Sequence, residues 1–144
     1  MLSNRFSPSS VEEKCLKHWE QKNIFARFYE NGKQPFSIMM PPPNITGSLH
    51  MGHALTFTLQ DILVRFQTKL GKKTLWQPGT DHAGIATEII VEKRIEKKKL
   101  RKSQLGRDKF LKEIWKWKNI SGNQIVDQLK ILGTCADWKR SRLL

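Results

Sequence analysis

Leu55, Leu59, Ile62, Leu63, Phe66 and Leu70 fall at i, i+4, i+7, i+8, i+11 and i+15, the repeat of an α-helix with one apolar face. Upstream, Phe36-Ser37-Ile38-Met39-Met40 is a short apolar run closed by three prolines. Proline has no N–H to donate to a ladder, so the run reads as a buried strand that stops there. The helix spans about Leu49 to Leu70, with Gly71 as the residue that ends it. Lys73-Thr74-Leu75-Trp76 reads as a second strand, stopped by Pro78-Gly79. Two strands joined by one long helix predict a parallel pair with a right-handed crossover, half of a doubly wound α/β sheet.

The remaining pattern is helical. Ser9 and Ser10, followed by Glu12 and Glu13, offer two capping boxes for a first helix with Val11, Cys15, Leu16 and Trp19 inward, ending near Asn23. Phe25, Phe28 and Tyr29 lead to Asn31-Gly32, a turn signal. Ile89, Ile90 and Ile95 mark a helix from Ile85 to about Leu100. Phe110, Ile114 and Trp117 recur at helical spacing, as do Leu111 and Trp115. Tryptophans so spaced read as core in preference to base-stacking platforms. Ile125, Leu129 and Leu132 mark a last amphipathic helix ended by Gly133. The expected division is a helical extension over residues 1–34 and the first half of a Rossmann-like domain over 35–144.

Chemistry concentrates between the first strand and its helix, in Pro41-Pro42-Pro43-Asn44-Ile45-Thr46-Gly47-Ser48-Leu49-His50-Met51-Gly52-His53. His50 and His53 are three apart and share a face of the helix's first turn. Free backbone N–H groups and the positive end of the helix dipole favour an anion there. Two imidazoles add donors, and Gly52 lets a flat ring approach the backbone. This suits a nucleoside triphosphate whose α-phosphate is attacked. Ser48 and Thr46 are each either helix caps or hydroxyls near the phosphates, and Asn44 either binds ligand or holds the loop. In doubly wound sheets ligands lie beyond the carboxyl ends of the strands, so Pro41–Gly47 and Gln77–Gly84 should converge on one pocket. Asp81, a carboxylate at a strand end, is the candidate partner for a substrate ammonium. His82 reads as a loop-orienting hydrogen bonder ahead of a ligand contact.

The thirteen-residue stretch resembles the HIGH signature of class I aminoacyl-tRNA synthetases, in the form found in valyl-tRNA synthetases. Leu75-Trp76-Gln77-Pro78-Gly79-Thr80-Asp81-His82-Ala83-Gly84-Ile85-Ala86-Thr87 is similar to the same family. So are Gly106-Arg107-Asp108-Lys109-Phe110 through Trp115-Lys116-Trp117-Lys118, and Leu132-Gly133 to Asp137-Trp138. The likeness runs from about Ser7 to Arg142. It implies activation of valine with ATP and transfer to tRNA(Val). His50 and His53 would act on the phosphates, Asn44, Thr46 and Gly52 would bind ATP with Gly52 under the adenine, and Pro41, Pro42, Asn44 and Asp81 would form the amino-acid pocket. ATP with Mg2+ enters as substrate, no structural metal is expected, and the family's full-length enzymes are expected to be monomers. Threonine, nearly isosteric, is the standard example of a competitor that a valine pocket cannot exclude, and the family answers it with a separate editing domain.

The K-M-S-K-S loop that is the family's second signature does not occur in these residues. The expectation is therefore an N-terminal piece of such an enzyme, with weak valine activation at most, or a catalytically inert ATP- and tRNA-binding remnant. A small nucleotidyltransferase, which also carries H-x-G-H, is the less favoured reading because it leaves the Pro-Pro-Pro-Asn and Gly-Thr-Asp-His-Ala-Gly segments unexplained.

Composition sharpens this in two places. The formal charge of +13 over 144 residues suits a polyanionic partner such as tRNA. Twelve Lys and Arg residues stand between Lys93 and Lys118 against Glu96, Asp108 and Glu113. They read equally as a solvated helix face or as an RNA contact. Cys15 and Cys135 show no metal-ligand spacing and are expected as free thiols. With no apolar leader and no apolar run of membrane-spanning length, the chain is expected to be soluble and cytoplasmic, with no membrane partner.

Overall fold

The computed structural model describes residues 6–30 and 32–144. Helices α1 (Pro8–Lys22) and α2 (Ala26–Glu30) precede strand β1 (Pro35–Met39), helix α3 (Met51–Lys69) and strand β2 (Lys73–Gln77). A two-residue strand β3 (Gly79–Thr80) follows, then α4 (Gly84–Glu96), α5 (Lys102–Ile131), a 3-10 turn at Trp138–Arg140 and β4 (Arg142–Leu143). The expected α/β unit is present: β1 and β2 pair in parallel, Pro35 opposite Lys73 through Met39 opposite Gln77, with α3 as the connection. Asn31 of the anticipated turn lies outside the described residues, while Gly32 has the positive φ of 119° that a turn there requires.

Met40, Ile45, Phe57, Val64, Trp76, Ile125, Leu129, Cys135 and Ala136 form one buried core, joined at its margin by Phe25, Phe28, Ile38, Leu49 and Trp138. A second cluster of Val91, Ile95 and Phe110, with Leu105, Ile114 and Trp117 against it, locks α4 to α5. Trp76 lies in the first core and Trp117 packs against the second, as its spacing predicts, but Trp115 is 58% exposed. Ile95 is buried, whereas Ile89 is exposed and Thr87 and Val91 face inward in its place. Leu132 is exposed as well. The two C-terminal helices read from the sequence run on as one beyond Gly106, whose non-helical backbone (φ 71°, ψ 166°) separates them from a short first turn of α5.

The apolar stripe of α3 does not face the sheet. Leu55, Leu59, Ile62, Leu63, Phe66 and Leu70 are all exposed. The helix instead turns a mixed stripe to the sheet: Phe57 and Val64 are buried, and Gln60, Asp61, Arg65 and Thr68 find partners, while Gln67 Oε1 is buried without one among the described residues. Gln60 Oε1 accepts from Trp76 Nε1 at 3.0 Å, and the Thr68 and Thr74 hydroxyls share a hydrogen bond at 2.6 Å. Asp61 Oδ1 accepts from Cys135 N at 2.7 Å, and Arg65 Nη2 donates to Gly133 O at 2.7 Å. Period alone locates an apolar face but does not say that it is the buried one. Here satisfied polar groups set the rotation.

Two smaller expectations also fail. Neither capping box forms at α1, which starts at Pro8 with Ser7 as an N-cap that makes no side-chain bond. Proline at the first helical position presets φ and starts the helix ahead of the serines. Val11 is exposed, and Cys15, Leu16 and Trp19 are only half-buried. The pairing of β3 with β4 was not foreseen, because two residues cannot carry a period-2 signal.

The rotation of α3 has a direct test. Phe57→Ala should cost roughly 3–5 kcal/mol, read as a lowered urea midpoint. Leu59→Ala on the exposed stripe should stay within about 0.5 kcal/mol. Equal costs would show that the helix is turned the other way.

Candidate active site

The Pro-rich loop leaves the sheet where Met40 N donates to Gln77 O at 2.9 Å. Three prolines supply no donors, so the loop must be held by what flanks them. Asp81 N donates to Pro43 O at 2.9 Å and Ile45 N to Asp81 O at 3.0 Å, an isolated parallel bridge between Asn44 and Asp81. The two marked loops therefore meet, through backbone. Ile45 is buried at 1% exposure and anchors the turn from beneath.

Helix α5 supports the loop from the other side. Trp117 Nε1 donates to Ile45 O at 2.8 Å, Gln124 Nε2 to Ser48 Oγ at 2.9 Å, and Leu49 N donates to Gln128 Oε1 at 3.0 Å. Trp117, Gln124 and Gln128 share one stripe of the helix at i, i+7 and i+11. Sequence reasoning did not assign the glutamines and placed Trp117 only in the core. The one available signal was two glutamines flanking the buried positions Ile125 and Leu129.

The helix start is built by the histidines themselves. His50 is the N-cap of α3 with extended backbone (φ −124°, ψ 174°), one position outside the helix where it was expected. Its Nδ1 accepts from Gly52 N at 3.1 Å, and His53 Nδ1 accepts from His50 N at 3.2 Å. This is the reciprocal arrangement of a capping box, made with imidazoles. Ser48 therefore does not cap the helix; its hydroxyl belongs to Gln124. The rings lie 3.9 Å apart, and His53 stacks on Phe57 with centroids 6.1 Å apart. The flat ring that Gly52 admits is His50's own: a Cβ there would meet His50 Cε1 at 3.0 Å.

These bonds decide the chemistry. A nitrogen that accepts a hydrogen bond cannot carry a proton, so each neutral ring is protonated on Nε2. Burial, followed by the neighbouring His50, lowers the His53 pKa and favours that neutral form. The helix end thus presents two Nε2–H donors beside its dipole's positive end. They stand on a concave surface with Pro41, Pro42, Pro43, Asn44, Thr46, Gly47, Ser48, Gly52 and Thr56.

Asp81 is outside that lining. Its Oδ1 accepts from Ala83 N at 2.7 Å, and His82 Nδ1 accepts from Gly84 N at 2.8 Å. Together they hold Ala83 (φ 57°) and Gly84 (φ 44°) in left-handed conformation at the start of α4. His82 makes the loop-orienting bond that its sequence context suggested. Among the described residues no group of three His, Cys, Asp or Glu side chains is placed to hold a metal, and no helix is long and apolar enough to cross a membrane. Cys135 is a buried thiol whose pKa is pushed well up, first by burial and then by Asp61.

A parallel βαβ unit with a donor-rich helix start beyond its strand ends is the plan of the nucleotide-binding α/β proteins. The chain belongs to one family of them: a profile of the tRNA synthetases class I (I, L, M and V) matches residues 14–144. It is similar to the valine--tRNA ligase of a Nitratiruptor species, 52% identical over 144 residues that are 97% of this chain and 16% of the relative. The valine--tRNA ligase of Carboxydothermus hydrogenoformans is 52% identical over 98% of this chain and 16% of its own length. The chloroplastic/mitochondrial 2 valine--tRNA ligase of Arabidopsis thaliana is 51% identical over 92% of this chain and 14% of its own length. The chain thus spans about one sixth of these relatives. In fold it matches the leucyl enzyme in the ternary complex of Agrobacterium radiobacter K84 agnB2 LeuRS, tRNA and LeuAMS, with a TM-score of 0.73, 18% identity, and coverage of 96% of this chain and 16% of that one.

The histidine cap makes the helix start sensitive to acid. His53 has a folded pKa below its unfolded value of about 6.5, so protonation favours the unfolded chain. The stability it contributes is complete above that value and is lost as pH falls through the lowered one. Urea midpoints between pH 7.5 and 5 should fall for the parent more than for His53→Ala. Parallel pH profiles would refute the cap's dependence on a neutral His53.

Proposed function

We propose that this chain carries the phosphate-binding half of a valine-activating site, and that the enzyme it belongs to makes valyl-adenylate and transfers valine to tRNA(Val). In that step a valine carboxylate oxygen bonds to the α-phosphorus of ATP. The bond from that phosphorus to the bridging oxygen breaks, and pyrophosphate leaves with the Mg2+ it brought. Little covalent work falls to the protein, so the rate comes from positioning and from donors aimed where charge builds up.

The observation that carries this reading is the reciprocal histidine cap. By engaging both Nδ1 atoms as acceptors it leaves the Nε2 positions of His50 and His53 for the phosphates, already oriented. Thr46 and Asn44 contribute polar groups from the loop beside Gly52. Pro41 and Pro42 wall a small, rigid pocket that fits a branched aliphatic side chain, and Asp81 takes the ammonium with the carboxylate oxygen not engaged by Ala83. Residues 35–144 form the first half of the catalytic domain and residues up to 34 its helical extension. Similarity to valine--tRNA ligases supports valine as the amino acid.

The test is valine-dependent ATP–pyrophosphate exchange by the 144-residue chain beside its His50→Ala, His53→Ala variant. The parent should exchange weakly, and the variant should lose roughly 10²–10³-fold. Exchange that survives the double substitution, or a folded parent with none, would sink the assignment for this chain.

A further inference from the structure

Twelve lysines and arginines against three acids between Lys93 and Lys118 place nine of the chain's thirteen net positive charges at the end of α4 and the first half of α5. The fold arranges them. Lys109, Lys112 and Lys116 stand at i, i+3 and i+7 of α5, one face of the helix. Lys98, past the end of α4, joins them along a groove floored by Ile95 and Leu105. The one acid in the groove is Glu113. It is shared by Lys116 Nζ at 2.5 Å and Lys98 Nζ at 3.8 Å, and the Lys116 hydrogen bond holds its carboxyl below the usual range.

A solvated helix face pairs its lysines with acids one turn away, as Lys17 does with Glu13 on α1. Glu113 and Asp108 stand one turn from Lys109 and Lys112, yet among the described residues neither lysine makes an ion pair. Lys98 and Lys116 keep 63% and 69% of their side-chain surface in solvent. Trp115, one turn beyond Lys112, is 58% exposed, with Lys118 Nζ 5.9 Å from its ring. A cation row beside an exposed indole joins the two chemistries a nucleic acid strand uses, phosphate pairing and base stacking.

We propose that the groove lined by Lys98, Lys109, Lys112 and Lys116, with Trp115 beside it, binds an RNA backbone. The proposal rests on the reading above for its choice of RNA over other polyanions. The four ammonium groups pair with successive phosphates and release counterions, and Trp115 stacks on a base.

The experiment is binding of a tRNA(Val) transcript to the 144-residue chain across a salt series, by fluorescence anisotropy, with folding checked by circular dichroism. Lys109→Ala, Lys112→Ala, Lys116→Ala should flatten the slope of log affinity against log salt by about three. At physiological salt it should weaken binding on the order of 100-fold. Trp115→Ala should weaken binding roughly fivefold or more with the slope unchanged. A charge-matched control, Lys14→Ala, Lys22→Ala, Lys33→Ala, should lose far less. Equal loss in the control, an unchanged triple variant, or a parent that does not bind the transcript overturns the proposal. Competition by polyglutamate as effective as by RNA also overturns it and points to an acidic protein. Exchange activity separates the two readings. Groove-dependent RNA binding without valine-dependent exchange removes the activation reading alone, and exchange without groove-dependent binding removes the groove alone.

Discussion

Two backbone hydrogen bonds, from Asp81 N to Pro43 O and from Ile45 N to Asp81 O, hold together the two loops on which the candidate site is built. They are needed because three successive prolines have no N–H to offer, so the segment that leaves β1 cannot extend the ladder by itself. Once Ile45 is fixed by these bonds and by its burial, its carbonyl is in reach of Trp117 and the next residues run on to Leu49, where Gln128 takes the backbone N–H. The histidine cap then starts α3 at a defined place. Without the bridge, the donors of His50 and His53 would sit on a loop with no fixed relation to the sheet.

The same economy of hydrogen bonds explains the orientation of α3. Gln60, Asp61 and Thr68 are turned inward because Trp76, Cys135 and Thr74 offer them partners, and a buried polar group with a partner costs little. The apolar stripe from Leu55 to Leu70 is left outside. Met39, at the end of β1, is exposed as well. The densest run of basic residues lies elsewhere, between Lys93 and Lys118 on α4 and α5.

How much of the site was legible depends on sequence distance. His50 and His53 were legible because their relation is local: three residues apart, at the start of a helix, they share a face whatever the rest of the chain does. The meeting of the Pro41–Gly47 and Gln77–Gly84 loops was legible from topology, since parallel strands put both loops at the same end, but of the two only the first lines the concave surface they were expected to share. The support by Gln124 and Gln128 was not. Those residues lie 76 and 79 positions from their partners, and nothing local distinguishes a glutamine that grips a backbone from one in water. Trp115 and Trp117 show the same limit, since one spacing rule served both and packing buried only one.

The sequence by itself determined the parallel βαβ unit, the proline stop, the glycine ends of α3 and α5, and the two imidazoles at a helix start. All of these follow from backbone constraints and periods that act within a few residues. Only the tertiary structure decided which face of α3 is buried, that the two C-terminal helices run on as one beyond Gly106, that Asp81 and His82 both organise the start of α4, and that the histidines cap each other in place of Ser48. Those outcomes depend on partners brought together from distant parts of the chain, where a satisfied hydrogen bond or a filled cavity outweighs the local pattern.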